Sequence, residues 1–78
     1  MPLASGFLEV LNSDSLEGVK KVLKENDIEI VRIEDNKIVY LIERASLAEL
    51  ESMLKFMKGI EGVLNVYLAY YSLGQAGD

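Results

Sequence analysis

The chain of 78 residues carries 13 Asp and Glu against 8 Lys and Arg, which gives a net charge of −5, and it has no cysteine and no histidine. Without cysteine, neither a disulfide framework nor a thiolate metal site can add to the core, and the acidic balance disfavours a nucleic-acid partner, which needs a basic stripe. The N-terminal apolar run is short and broken by Glu9, and no segment approaches the roughly 20 apolar residues of a membrane span, so we expect a cytoplasmic protein.

The first part of the chain predicts a strand followed by a helix. Residues 5–11, SGFLEVL, are typical of a strand, and the cluster NSDS that follows supplies Ser13 or Asp14 as a helix N-cap. The helix should end at Asn26 or Asp27, because both residues disfavour helix interiors. Apolar residues recur at helical spacing and predict the buried stripe of this helix: Leu16, Val19, Val22 and Leu23.

A hairpin, a second helix and a last strand should follow. Residues 28–34 and 37–43 are rich in β-branched residues, and the EDNK turn between them favours antiparallel pairing. Ser46 and Glu49 have the spacing of a capping box, and Gly59 is a typical helix stop. Residues 62–71 predict a strand that is apolar on both faces. The buried stripe of the second helix should consist of Leu47, Leu50, Met53, Leu54 and Met57.

The order βαββαβ predicts an α+β, ferredoxin-like fold. Two right-handed crossovers around a central hairpin give a four-stranded antiparallel sheet with both helices on one face. We expect a single domain over residues 1–78, with a core of about residues 5–72 and a flexible tail at 73–78.

The face of this sheet that the helices leave bare is the main functional clue. Alternation along the strands assigns to the core Leu8, Val10, Ile28, Ile30, Val39, Leu41, Leu64, Val66 and Leu68. The bare face then carries Phe7, Val31, Ile33, Ile38, Tyr40, Ile42, Tyr67 and Tyr71, surrounded by Glu9, Glu29, Glu34, Asp35 and Glu43. A one-residue slip would exchange the two sets, but both sets are largely apolar in the last two strands.

An apolar patch of this kind is larger than most soluble monomers expose, which indicates a binding surface. Two other interpretations stay open. The face could pack against its own copy in a dimer, and the acids could be solvated residues that protect strand ends. The sequence is compatible with a monomer or a homodimer.

Catalytic and metal-binding patterns are missing from the sequence. Histidine and cysteine, the usual general bases and thiol nucleophiles, do not occur, and the serines have no base near them in sequence. The glycines form no phosphate-binding pattern, and no loop has the alternating carboxylates of a calcium site. We therefore expect a binding protein rather than an enzyme, with no metal and no cofactor.

The C-terminal run MKGIEGVLNVYLAYYS resembles the end of NapD-family proteins, the cytoplasmic chaperones of periplasmic nitrate reductase. SGFLEV is similar to the family's first strand, and the element lengths agree over residues 5–72. Ala69 and Tyr71 stand where the family has Val and His. The family pattern GV-L-x-V-x-L-V-Y-H is matched by Gly62, Val63, Leu64, Val66, Leu68 and Tyr70.

The resemblance implies that the protein binds the twin-arginine signal peptide of the nitrate reductase catalytic subunit and restrains export until the molybdenum cofactor is inserted. The peptide would lie as a helix on the bare sheet face, where carboxylates can pair bidentately with its arginines. Glu9, Glu29 and Glu43 are the leading arginine partners. The predicted signal-peptide site consists of Phe7, Glu9, Glu29, Val31, Ile38, Tyr40, Ile42, Glu43, Tyr67 and Tyr71.

The alternative function is a dimeric regulatory domain of the ACT type that senses a small ligand, since such domains share the βαββαβ order. They usually have a glycine in the loop between the first strand and the first helix, whereas NSDS has none. A gel-filtration mass helps to separate the two functions, because an obligate dimer with buried sheet faces would favour the sensor.

Overall fold

The computed structural model describes residues 2–72, and the tail predicted at 73–78 lies outside the described residues. The elements are β1 (Leu3–Val10), α1 (Ser13–Glu25), β2 (Glu29–Glu34), β3 (Lys37–Glu43), α2 (Leu47–Lys58) and β4 (Val63–Ser72). The strands form one antiparallel sheet in the spatial order β2-β3-β1-β4. This is the ferredoxin-like βαββαβ arrangement that the sequence predicts.

The hydrophobic core lies between one face of the sheet and both helices. Along β1, buried residues alternate with half-buried ones, as expected for a strand with one covered face. Because buried residues of β1, β3, α1 and α2 pack into a single cluster, both helices cover the same face. The cluster consists of Ala4, Leu8, Val10, Val19, Leu23, Ile28, Ile38, Tyr40, Ile42, Leu50, Met57 and Ile60.

The N-cap of α1 is one residue earlier than predicted. Asn12, not Ser13 or Asp14, caps the helix: its Oδ1 accepts hydrogen bonds from the Ser15 N–H at 3.0 Å and from the Ser15 hydroxyl at 3.1 Å. Asn is among the best N-cap residues, and Asp14 then lies in the first turn, where its negative charge suits the helix dipole. The predicted apolar stripe is confirmed, with Val19 and Leu23 buried and Leu16 and Val22 partly buried.

The capping box of α2 is present as predicted. The Ser46 hydroxyl accepts a hydrogen bond from the Glu49 N–H at 3.2 Å, and the Glu49 carboxylate accepts one from the Ala45 N–H at 3.2 Å. Gly59 is the C-cap of the helix. Most of the predicted stripe faces the core, with Leu50 and Met57 buried and Met53 and Leu54 partly buried, whereas Leu47 is exposed.

The turn between β2 and β3 also binds the end of β1. Asp35 has a φ of 53°, the left-handed conformation that this residue type tolerates in turns. The Asn36 carbonyl accepts a hydrogen bond from the Val10 N–H at 2.8 Å, and the Asn36 side-chain amide donates to the Val10 carbonyl at 3.2 Å. These two bonds continue the ladder between β1 and β3 and hold their register.

The facing predicted for β3 is wrong. Ile38, Tyr40 and Ile42 are fully buried, while Val39 and Leu41 lie on the uncovered side. Directly opposite residues of antiparallel strands share a face, and the register places these three residues opposite buried positions of β1. Since every residue from 38 to 42 is apolar, pairing with β1 decides which set enters the core.

Two β-bulges overturn further parts of the predicted facing. In β2 the ladder slips between Ile30 and Arg32, so Val31 is an extra residue and Ile33 packs against the core rather than facing outward. In β4 a slip places Tyr70 opposite Ser5 on the uncovered side and Tyr71 opposite the buried Ala4 on the helix side. Tyr71 therefore does not share the uncovered face with Tyr67. Leu64 and Leu68, which alternation assigns to the core, are 56% and 52% exposed on this edge strand.

A buried tyrosine links β3, β1 and β4. Tyr40 lies opposite Gly6 of β1, and its hydroxyl donates a hydrogen bond to the Tyr67 carbonyl of β4 at 2.8 Å. A Cβ atom at Gly6 would collide with that carbonyl oxygen and lie 2.9 Å from the Tyr40 hydroxyl, so glycine is required here. Burial raises the pKa of the Tyr40 hydroxyl to about 12.

Replacing Tyr40 with Phe should destabilise the protein, because the ring remains but the Tyr67 carbonyl loses its donor. We expect the free energy of unfolding to fall by about 1–2 kcal/mol in urea denaturation. Tyr70→Phe is the matched control, since Tyr70 is 56% exposed, and it should change stability by less than about 0.5 kcal/mol. Equal losses for the two variants would contradict this role of Tyr40.

Tyr40 should also make stability decline at alkaline pH. Its pKa is about 12 when folded, against about 10 when unfolded. Below pH 10 the hydroxyl is protonated in both states and the stabilisation is complete. From pH 10 to 12 the unfolded state loses the proton first, which should lower the free energy of unfolding by roughly 2–3 kcal/mol. In Tyr40→Phe this part of the decline should disappear; an unchanged decline would assign it to other groups.

Candidate functional site

The uncovered side of the sheet, called the open face below, is defined by the register of the four strands. One row of side chains across it runs from Arg32 through Val39 and Phe7 to Tyr67. The neighbouring rows follow from the same pairing, because opposite residues point to the same side. The open face consists of Leu3, Ser5, Phe7, Glu9, Glu29, Arg32, Glu34, Lys37, Val39, Leu41, Glu43, Asn65, Tyr67, Tyr70 and Ser72.

The predicted site residues are divided between three parts of the structure. The open face brings together Phe7, Glu9, Glu29, Glu43 and Tyr67. The exposed Val31 lies at the bulge of the edge strand β2. The remaining predicted residues are excluded from the face, since Ile38, Tyr40 and Ile42 are core residues and Tyr71 lies on the helix side.

Four apolar residues of the open face were missed by the sequence analysis: Leu3, Val39, Leu41 and Tyr70. For β3 the sequence does contain a signal, because the charged residues Lys37 and Glu43 at the two ends of the strand have the same parity as Val39 and Leu41. Charged side chains at strand ends face water, which sets the facing of the apolar residues between them. No comparable signal reveals Tyr70, because the bulge that turns it outward has no marker in the sequence.

An aromatic pair occupies the middle of the open face. The rings of Phe7 and Tyr67 are stacked with their centroids 4.7 Å apart and their planes 25° from parallel. The Lys37 ammonium lies 5.5 Å from the centroid of the Phe7 ring, within the range of a cation–π contact. Val39 is opposite Phe7 on the other side of the pair. The centre of the face is thus aromatic and accessible to a ligand, with Tyr67 43% exposed.

Glu9 is already engaged by neighbouring side chains of the open face. Its Oε1 accepts hydrogen bonds from the Tyr67 hydroxyl at 3.1 Å and from the Asn65 amide at 3.3 Å. The hydrogen bond to Glu9 and the negative charge of this carboxylate raise the pKa of the Tyr67 hydroxyl. Glu9 therefore orients Tyr67 and holds the edge of the aromatic pair.

A shallow cavity, called the acidic cavity below, lies at the opposite end of the open face. Its volume is about 480 Å³. Three carboxylates line it, from Asp27, Glu29 and Glu43, together with the apolar side chains of Leu3 and Leu41. Residues 2–72 contain two ion pairs, Lys20–Glu17 and Arg32–Glu34, and neither involves a carboxylate of this cavity. The three carboxylates outnumber the one guanidinium that lines the cavity, from Arg44, so the acidic cavity has an excess of negative charge.

Arg44 also lines the acidic cavity, but its guanidinium is committed to main-chain oxygens. It donates hydrogen bonds to the carbonyls of Glu43 at 2.8 Å, Asn26 at 2.5 Å and Asp27 at 3.4 Å. The last two carbonyls follow the C-terminus of α1, where a positive charge is favourable. Arg44 therefore fixes the loop that carries Asp27 at the rim of the cavity.

Comparisons of the chain with protein-family models, with curated proteins and with solved structures find no match. Within residues 2–72, neither helix has the length and apolar character needed to cross a membrane. The acidic side chains of this part of the chain form no group of three that could hold a metal ion.

The hydrogen bond between Glu9 and Tyr67 can be tested by titration. Replacing Glu9 with Gln removes the negative charge, so the pKa of Tyr67 should fall towards the ordinary tyrosine value, as measured from its ring signals by NMR. Glu34→Gln is the control, because this carboxylate pairs with Arg32 instead. A Tyr67 pKa that responds equally to both variants would show that the contact with Glu9 is not its cause.

Proposed function

We propose that the protein is a peptide-binding chaperone that holds an apolar segment on the open face and the adjacent cationic residues in the acidic cavity. The observation that carries the proposal is the continuity of these two surfaces. Leu3 and Leu41 belong to the open face and also line the cavity beside Glu29 and Glu43. A ligand lying over the aromatic pair would therefore reach the carboxylates without leaving apolar contact.

A signal peptide has the chemical order that this surface would accept. It consists of a positively charged N-terminal region followed by an apolar segment of 7–15 residues. The cationic region would lie in the acidic cavity, and the apolar segment would cover Phe7, Val39 and Tyr67. The resemblance to NapD makes the ligand specific: the twin-arginine signal peptide of the catalytic subunit of a periplasmic nitrate reductase. The protein would act in the cytoplasm and restrain export until the cofactor is inserted.

The contacts around the carboxylates favour Glu29 and Glu43 over Glu9 as arginine partners. Glu9 is engaged with Tyr67 and Asn65, whereas Glu29 and Glu43 line the cavity. Glu29 lies opposite Leu41, two residues from Glu43, so Glu29 and Glu43 are diagonal neighbours on one face, at backbone positions typically about 7–8 Å apart. Two adjacent guanidinium groups could each donate a bidentate pair of hydrogen bonds to a separate carboxylate, a geometry that lysine cannot match.

Calorimetric titration with a synthetic twin-arginine signal peptide tests the proposal. The peptide with both arginines should bind, its lysine counterpart should bind several-fold more weakly, and its glutamine counterpart should bind at least tenfold more weakly. In the protein, combining Glu29→Gln with Glu43→Gln should cause a similar loss. The matched control combines Glu51→Gln with Glu61→Gln, which removes the same charge from exposed residues outside the open face.

A second variant tests the apolar half of the site. Combining Val39→Ser with Tyr67→Ser should weaken binding of every peptide while leaving the circular dichroism spectrum of the fold unchanged, because neither side chain belongs to the core cluster. Tyr40 is unsuitable for this purpose, since its loss would damage the core. If the wild-type protein bound none of the three peptides, the proposed function would be wrong.

A further inference from the structure

The two edges of the sheet differ in how they are protected against pairing with another strand. The β2 edge is short, carries Glu29, Arg32 and Glu34 among its six residues, and is bulged at Val31. Charged side chains and bulges are the usual devices that prevent edge-to-edge association. β4 has ten residues, VLNVYLAYYS, without any charged residue or proline. Although β4 contains bulges of its own, its sequence gives no electrostatic protection.

The side chains of β4 are exposed on both sides of the sheet. Tyr67 and Tyr70 lie on the open face, while Leu68 and Tyr71 lie opposite Gly6 and Ala4 on the helix side. Together with Leu64, these residues are 41–56% exposed. A single strand that presents large apolar side chains to water along both faces is the arrangement expected of an unpaired edge.

We propose that β4 pairs in antiparallel orientation with β4 of a second copy of this chain, giving a two-fold symmetric dimer with a continuous eight-stranded sheet. The occupant must be an uncharged edge strand with large apolar side chains on both faces, and β4, which lies at the sheet edge within residues 2–72, meets this requirement. A two-fold axis makes the contact self-complementary. Self-pairing of β4 places no like charges opposite each other, whereas self-pairing of β2 would bring glutamates together.

The exposed area of β4 matches a weak, reversible dimer. Taking about 150–250 Å² as the full area of a large side chain, the five exposed residues of β4 offer at most roughly 500 Å² per copy. Two copies then supply at most roughly 1,000 Å², the size of a weak interface, to which the backbone hydrogen bonds of the new strand pair would be added. The dimer would leave the open face and the acidic cavity of both copies on the same side of the extended sheet.

Sedimentation equilibrium over a concentration series tests the inference. The wild-type chain, with a monomer mass of 8.7 kDa, should show a reversible dimer at micromolar to millimolar concentration. Leu68→Lys should raise the dimer dissociation constant at least tenfold, because two ammonium groups would enter the new strand pair. Val31→Lys is the matched control: it makes the same change at an exposed apolar residue of the other sheet edge and should leave the dissociation constant unchanged.

Each other outcome counts against the inference. If the wild-type chain stays monomeric throughout the series, the proposed dimer is wrong, and an extended segment of another protein becomes the candidate partner of β4. If neither Leu68→Lys nor Leu64→Lys changes the dimer dissociation constant, the dimer forms through another surface. If Val31→Lys raises the dissociation constant, the dimer forms through β2. Circular dichroism confirms that each variant is folded. Titration of the Leu68→Lys variant with the twin-arginine peptide separates the two proposals, since peptide binding can persist when dimerisation is lost.

Discussion

The hydrogen bond that Tyr40 donates to the Tyr67 carbonyl across Gly6 makes the observed facing of β3 possible. The residues of β3 from 38 to 42 are all apolar, so hydrophobicity would allow either set to face inward. A buried hydroxyl must find a partner, and Tyr40 finds one only because Gly6 leaves room above β1. With Tyr40 inside, Val39 and Leu41 must lie outside, beside Phe7 and the acidic cavity. The composition of the open face thus follows from a contact made on the other side of the sheet.

The order of helices and strands could be predicted from the sequence because each is specified by residues that lie close together in the chain. A helix stripe, a capping box and a two-residue turn each involve residues within a few positions of one another, and Ser46, Glu49 and Asp35 act as their residue types predict. The facing of the strands is different, because it depends on pairing between distant segments. The predicted facing was correct for β1, where Glu9 marks the solvent side. It was wrong for β3, where residues 38–42 are all apolar and only the end residues Lys37 and Glu43 mark the solvent side. Bulges in β2 and β4 then displaced Ile33 and Tyr71, and nothing in the sequence specifies where a ladder slips.

The same reasoning explains why only part of the candidate site could be anticipated. Phe7, Glu9, Glu29 and Tyr67 lie where alternation placed them, and Glu43 reaches the open face because β3 faces the opposite way from the prediction. The acidic cavity, in contrast, is a tertiary feature. Asp27 enters it from the loop after α1, which Arg44 holds by hydrogen bonds to the carbonyls of residues 26 and 27. No spacing in the sequence relates Asp27 to Glu43. Glu9, one of the three arginine partners that the resemblance suggests, already accepts hydrogen bonds from Tyr67 and Asn65.

Tyr67 and Tyr70 couple the two proposed activities, since they belong both to the open face and to the edge strand β4. Pairing of two copies through β4 would place both sets of tyrosines side by side and join the two open faces into one aromatic surface. A peptide that contacts these tyrosines would then have a different affinity for the monomer and for the dimer. Peptide binding and dimerisation are thermodynamically linked. If dimerisation changes the peptide affinity by a given factor, the bound peptide changes the dimerisation constant by the same factor. Leu68 points to the helix side, so its variants should weaken dimerisation without removing a peptide contact. A change in peptide affinity in such a variant would therefore come from the loss of the dimer and not from damage to the binding surface.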